Sequence, residues 1–495
     1  MNYYLGLDSG GTFIKAALFN AKGDEIAIYR KSANVLNEQQ GWVERNLEGL
    51  WQDACDVIKG VLEKAKIDPS MVKGVSISAQ GKGLYLLDKD GNDLRNGILS
   101  SDSRSIDIVK RWQKDHIPDQ IYPLTLQTLW TGHPVSILRW IKEHEPAHYH
   151  NVGSIMMSHD YLRYRLTGVI AAEITNMSES NFFNAQTGNY DIELLKTFGV
   201  EEAFSALPPL IYPTDQAGYI NNEAARNSGL MEGTPVYGGL FDVVSTAICS
   251  GIDSTEQKLN AVMGTWGVTS GITRDLVLSD TYKYVYGHHA IANEYIIHEA
   301  SPTSASNYEW FAPYFGNNGE IDHIENEQLV SELPALSTDI IFVPFLYGSN
   351  AGLGLKSGLY GLQAHHTKGH LIQGIWEGVL FCHNLHLQRM LKRFPDAKIL
   401  RVTGGTTKSN TWMQMLSDLT GMPLEIQDIE ETGALGAALV CMVGAGEYPS
   451  LKEAVKEIKV DIKTLQPNLS NHANYQIKYQ RYLKFIDVLK TYEDL

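Results

Sequence analysis

Cysteine is scarce: Cys55, Cys249, Cys382 and Cys441 are the four in 495 residues, and they lie far apart. No C-x-x-C pair exists, so neither a zinc ribbon nor a disulfide framework is suggested, and a reducing cytosol is the expected setting. Positive charge is in deficit, 41 Lys and Arg against 57 Asp and Glu, for a net −16. That balance argues against general binding to nucleic acid or to a membrane surface, which would need a basic face. No apolar run is long enough to cross a bilayer. The chain opens on a strand-like pattern rather than a basic stretch and an apolar core, so no signal peptide is expected. A Walker A loop fails at Gly404-Gly405-Thr406-Thr407-Lys408-Ser409, because Thr407 stands where that loop requires glycine before the lysine. His365, His366, His370, His383 and His386 form a local excess without the H-E-x-x-H arrangement. A solvated helix face or core histidines are expected there, not zinc.

What is present is an ordinary globular composition, 43% hydrophobic and 20% charged. The length exceeds what one core organises, so two lobes are expected. The first residues read as a meander: strand Tyr3–Leu7, a glycine turn, strand Phe13–Phe19, the turn at 21–24, and a strand from Glu25. Apolar residues at helical spacing mark one face of a helix near Leu47–Lys66. Strands follow near Val72–Ser78 and Leu84–Asp88, and helices near Ser105, Pro134 and Ser158. The scheme then starts again with strand Lys258–Met263, the turn Gly264-Thr265-Trp266-Gly267, and a return strand. A long helix Lys368–Phe394 capped by Thr367, a strand Lys398–Thr403, and helices near Asn410 and Thr432 complete it. A last helix is expected at Tyr475–Tyr492, on the surface. Two α/β lobes with a cleft between them follow, residues 1–250 and 251–495, with the boundary near Gly251.

The chemistry concentrates in a few segments. Asp8-Ser9-Gly10-Gly11-Thr12 sits between two strands. Its carboxylate can face a metal ion while the glycines turn backbone N–H groups toward phosphate, with Thr12 and Lys15 as further donors. Gly264-Thr265 repeats the device in the second half. In Gly239-Leu240-Phe241-Asp242-Val243 an apolar context surrounds a carboxylate, which is then either a general base or a helix N-cap. Gln80-Gly81-Lys82-Gly83 ends a strand, as ligand-cleft residues often do. Asp102 and Arg104 can bond sugar hydroxyls or open a helix. Trp130 and His133 offer a stacking ring and a polar tip, or core packing. Gly404, Gly405 and Ser409 lie at a strand end before a helix and suit a nucleoside.

Taken in order, these segments resemble the FGGY family of carbohydrate kinases, in the superfamily of hexokinase and actin. Ser357-Gly358-Leu359-Tyr360-Gly361-Leu362, His370-Leu371 and Glu377-Gly378 match most of a family signature, and the resemblance spans nearly the whole chain. It implies a two-lobed α/β fold of the ribonuclease H-like type with an interdomain cleft, and phosphoryl transfer from ATP with Mg²⁺ to a small-molecule sugar. Asp242 is then the catalytic base. Asp8 and Asp242 hold the metal. Gly10, Gly11, Thr12, Lys15, Gly264 and Thr265 meet phosphate. Gly404, Gly405 and Ser409 meet adenosine. Gln80, Gly81, Lys82, Asp102, Arg104, Trp130, His133 and Asp242 meet the sugar. The implied acceptor is the terminal hydroxyl of a linear ketose such as L-xylulose or 3-keto-L-gulonate. Another pentulose, pentose or polyol, or an actin-like or chaperone-like ATPase module without sugar chemistry, is the alternative. The Cys-rich zinc cluster of ROK sugar kinases is missing. Departures are Gly11 where many relatives have Thr, Ile137 where a signature has Lys, and Lys82 where other subfamilies carry His or an acid. Relatives are often dimers, so a homodimer is one expected assembly.

Overall fold

The computed structural model describes residues 2–278, 282–316, 320–352, 354–427, 429, 431–458 and 461–493. They form two compact units. One comprises residues 1–251, 272–297 and 431–459, the other 252–271, 298–430 and 460–495.

In the first unit strands β1 (Tyr3–Ser9), β2 (Phe13–Asn20) and β3 (Glu25–Ser32) form the antiparallel meander that the turn residues predict. Strand β4 (Val72–Ala79) lies parallel to β1, and the short β5 (Leu240–Phe241) lies parallel to β4. Register decides what meets at the carboxyl ends: Asp8 is level with Ser78, and Leu240 with Ser78 in turn. Asp8, Gln80 and Asp242 therefore leave three adjacent parallel strands at one edge, where open α/β sheets bind ligands. Helix α1 (Leu47–Ala65) covers one face. The Asn46 side chain accepts from Gly49 N–H at 2.7 Å to cap it, and Leu50, Trp51, Ala54, Val57, Ile58 and Val61 bury the expected stripe.

The other face of this sheet is covered by helix α2 (Thr432–Gly444), whose buried Gly433, Ala434, Gly436 and Ala437 match the expected small-residue packing side. The approach is so close that a Cβ on Gly6 would overlap the Ala434 carbonyl, and one on Gly433 the Asp8 carboxylate. Gly6→Ala is therefore expected to push helix and strand apart and to lower the melting temperature by several degrees, about 1–3 kcal/mol of overpacking. An unchanged melting temperature would contradict the packing.

The second unit repeats the scheme. Strand β6 (Lys258–Met263) pairs antiparallel with β7 (Gly267–Thr273) and parallel with β8 (Ile399–Thr403), which runs parallel to β9 (Leu424–Gln427). Val262 is level with Thr403, so Gly264 and Gly404 leave neighbouring strand ends. The buried helix α3 (Lys368–Arg393) packs behind, and α4 (Asn410–Thr420) follows β8.

Three expectations change. The last helix starts at Leu469, not Tyr475, because the Asn468 side chain accepts from Ser470 and Asn471 N–H and caps it there. It is not merely a surface helix: Tyr475 and Tyr482 are fully buried. Helices Ile117–Thr125 and Ala305–Phe315 escaped the sequence pattern because each contains an internal proline, Pro123 and Pro313, which reads as a break.

Candidate active site

In the first unit Gly10 N–H bonds Phe13 O at 3.0 Å, closing the β1–β2 turn and leaving Gly11 and Thr12 exposed. Beneath the loop the buried Arg45 donates to Gly10 O at 3.0 Å. Lys15 lies opposite Asp8 in the β1–β2 register and bonds Glu431 at 2.8 Å. Arg45 and Glu431 carry no local motif. Only the position of Glu431 just before the small-residue helix hinted at it.

Asp242 opens a short helix, Asp242–Cys249, directly after β5. Its backbone is held from behind by two buried side chains. Thr175 Oγ1 accepts from Phe241 N–H at 3.0 Å, and Arg163 donates to Gly238 O at 2.5 Å and to Asp160 at 3.0 Å. Gly239, at φ 89°, lets this segment cross Ile77 O, where a Cβ would collide. Burial, and then the negative charge of Asp8, push the Asp242 carboxyl up to about 7, against the Val243 N–H and Lys82. Asp8 is pushed up to about 6 by burial, opposed by Lys15 and reinforced by Glu431. Two interacting carboxylates with only committed cations nearby form a site short of positive charge.

The 80–83 turn is tightly specified. Gln80 N–H bonds Ser9 O at 3.1 Å, tying it to the Asp8 loop. A Cβ on Gly81 would enter the Phe241 ring. Lys82 itself is left-handed at φ 60°, a strained conformation for a residue with a side chain. Asn176 accepts its N–H at 2.9 Å, and Glu179 takes its ammonium at 2.5 Å. Thr175, Asn176 and Glu179 were not anticipated, because no local pattern marks them.

Asp102 and Arg104 turn inward. Asp102 accepts from Val43 N–H at 2.7 Å and from the Arg104 guanidinium at 2.9 Å, and that guanidinium stacks 3.9 Å from the Trp42 ring. Both side chains are fully buried, so the pair braces the loops above it. His133 is buried too, accepting from Trp130 N–H at 3.0 Å. The Trp130 ring is 41% exposed and donates its indole N–H to Ser100 O at 3.0 Å.

In the second unit Thr265 and Trp266 are exposed, while Ala305 N–H and Ser306 Oγ hold the carbonyls of Gly264 and Thr265 at 3.1 and 2.9 Å. Gly404 has φ 109° and crosses Met263 O, where a side chain would collide. The space above Gly405 is open. Ser409 accepts from Trp412 N–H at 3.0 Å, donates to Glu327, and so caps α4. Its hydroxyl is occupied inside the protein. Of the histidines, His383 and His386 are buried on Ser304 and Ser301, at 2.9 and 3.1 Å, while His365 is exposed and His366 half-buried. Among the described residues no group of three or more His, Cys, Asp or Glu is placed to hold a metal, and no helix is long and apolar enough to cross a membrane.

Glycine turns bracketed by strands, and a desolvated carboxylate at a parallel strand end, are features that suit phosphoryl transfer. The family models agree. Residues 3–249 match the N-terminal domain of the FGGY family of carbohydrate kinases and residues 259–445 its C-terminal domain. A chain of Pasteurella multocida described as a probable L-xylulose kinase is 53% identical over 99% of this chain and 100% of its own length. An L-xylulose/3-keto-L-gulonate kinase of Escherichia coli is 51% identical over 99% and 98%. The crystal structure of ligand-bound xylulose kinase from Lactobacillus acidophilus shares the fold over 99% of both chains, with a TM-score of 0.91 at 21% identity. This chain belongs to the FGGY family of carbohydrate kinases, and its chemistry is ATP-dependent phosphoryl transfer to a sugar hydroxyl.

Proposed function

We propose that this kinase phosphorylates the terminal hydroxyl of a linear ketose, L-xylulose or 3-keto-L-gulonate, with Asp242 as general base. The placement of Asp242 carries the reading. It is a half-buried carboxylate at a parallel strand end, held by Thr175 and Arg163 and raised to about 7 by burial and by Asp8. A base tuned near neutral pH accepts the hydroxyl proton as the sugar oxygen attacks the γ-phosphorus of ATP. Most of the remaining acceleration is positioning and charge stabilisation. Thr12, Lys15, Gly264 and Thr265 are assigned to phosphate oxygens. The open face of Gly405, beside Gly404, is assigned to adenosine. Ser409 then acts by fixing the start of α4. Gln80, Gly81, Lys82 and the exposed Trp130 ring are assigned to the sugar, and the Asp102–Arg104 brace with His133 shapes the wall behind it.

Asp8 and Asp242 fit Mg²⁺. Both are carboxylates held above their ordinary range, and each neighbouring lysine is already paired, Lys15 with Glu431 and Lys82 with Glu179. Mg²⁺ is commonly held by one or two carboxylates with water and substrate phosphates. Bound there, it would neutralise phosphate charge. The test is a kinase assay with ATP and Mg²⁺ across pentuloses, pentoses, polyols and keto-sugar acids. The highest kcat/KM is expected for L-xylulose or 3-keto-L-gulonate, and a preference for an aldose or a polyol would overturn the assignment.

A further inference from the structure

One short segment controls both the base and the lysine beside it. Thr175 anchors Phe241, the residue before Asp242, at 3.0 Å, Asn176 fixes the Lys82 backbone at 2.9 Å, and Glu179 receives the Lys82 ammonium at 2.5 Å. The ammonium sits 5.5 Å from the centroid of the Phe241 ring. Lys82 is thus paired with one carboxylate, Glu179, while its ammonium lies over the ring of the residue that precedes a second, Asp242. A lysine with two acidic neighbours in a desolvated place pairs with one of them. The backbone leaves it little choice of origin, since Gly81 is pressed on Phe241 and Gly83, at φ 73°, on Ile98 O. Glu179 is equally confined. It is fully buried, and its carboxylate lies against Gly287, where a Cβ would collide.

We propose that Glu179 is a positioning residue for the kinase reaction: it anchors the Lys82 ammonium beside the reacting end of the sugar and keeps it from closing onto Asp242. An ammonium has three donors. With one spent on Glu179, the others serve a sugar hydroxyl, while Asp242 keeps its lone pairs for the proton it must accept. Without the Glu179 charge Lys82 is no longer held away from Asp242, the residue after the Phe241 ring it overlies, and an ammonium seated on that carboxylate blocks the position the sugar hydroxyl must take. The inference rests on the reading of Asp242 as the base.

The experiment compares Glu179→Gln, Lys82→Met and the double variant by steady-state kinetics with the ketose that the substrate panel ranks first. Glu179→Gln is expected to lower kcat by about ten- to a hundredfold and to raise the sugar KM, with the ATP KM within about twofold. Adding Lys82→Met removes the misplaced ammonium. The double variant is expected to turn over faster than Glu179→Gln alone while its sugar KM stays high. A merely structural Glu179 predicts the opposite order, because the second core substitution then only adds damage. A wild-type kcat for Glu179→Gln, or a double variant no faster than that single, overturns the proposal. Should Glu179→Gln not fold, Glu179→Asp, which keeps the charge on a shorter arm, carries the comparison. Its kcat must fall, and Lys82→Met must raise it again. Failure of the underlying reading looks different: Asp242→Asn would then retain turnover, whatever Glu179 does.

Discussion

Asp242→Asn is expected to abolish sugar-dependent ADP release, with kcat reduced by about a thousandfold or more, and at the same time to make the ligand-free protein more stable. The first effect follows from the proposed role of Asp242 as general base. The amide has the shape of the carboxylate but cannot take the hydroxyl proton, and general-base catalysis supplies roughly 10²–10⁴ in rate. Nucleotide affinity should be largely kept, because the glycine turns are untouched. The second effect follows from linkage. The folded chain holds the Asp242 proton up to about pH 7, whereas an unfolded aspartate releases it near its ordinary 3.8. The native state therefore binds the extra proton between these values, and its stability falls as pH rises through that window. Above it the full cost of a desolvated charge facing Asp8 is present. The amide escapes that cost, on the order of 1–3 kcal/mol after allowing for the partial exposure of the side chain. Melting curves in a metal chelator should show the variant above the wild type by several degrees at pH 8, with the gap closing toward pH 4. A variant with near-normal turnover would remove Asp242 from the mechanism. A gap that widened toward low pH would refute the buried-charge account.

Lys478→Ala is expected to cost about 3–5 kcal/mol, the largest stability loss predicted for a single residue of this chain. Lys478, on the last helix, reaches the fully buried carboxylate of Glu377 on α3 and donates to Thr338 O at 2.6 Å. Removing it leaves one carboxylate unpaired in the interior and one carbonyl without its donor. Burial already pushes Glu377 upward, and Lys478 is what opposes it. Without the lysine the group rises further, so the folded variant binds a proton that its unfolded chain has released. The loss should therefore be greatest at pH 8 and shrink toward pH 5. Urea unfolding of the second unit measures it, and proteolysis of the C-terminal helix reports the undocking. Pairing the change with Glu377→Gln should recover much of the loss, because the interior charge is then gone. If Lys478→Ala unfolds at the wild-type urea concentration, the pair contributes nothing and the helix is held by its tyrosines alone.

The contrast between these two residues shows what was legible in the chain. Asp242 was visible because glycines and apolar residues flank it in a strand-turn-helix pattern, which is local information. Glu377 was visible only as part of a family-like signature, and its partner lies 101 residues away. The same holds around Asp242. Gln80, Lys82 and Asp8 announce themselves beside glycines, whereas Thr175, Asn176, Glu179, Arg163 and Arg45 sit in unremarkable stretches and matter through what they touch. Asp102, Arg104, His133 and Ser409 were legible as polar residues near turns. Their inward hydrogen bonds were not, because a cap, a brace and a ligand contact use the same side chains at the same spacing.

By itself the sequence determined the repeated strand–glycine–strand scheme and the helix faces, because hydrophobic period and turn residues act over a few neighbours, and its resemblance to the carbohydrate kinases supplied the phosphoryl-transfer chemistry. Only the tertiary structure decided which carboxylates share an edge of the sheet, which lysines are already paired, and how the last helix is bound. Those outcomes depend on strand register and on burial, and both are set by residues far apart in the chain, from 97 positions for Lys82 and Glu179 to 416 for Lys15 and Glu431.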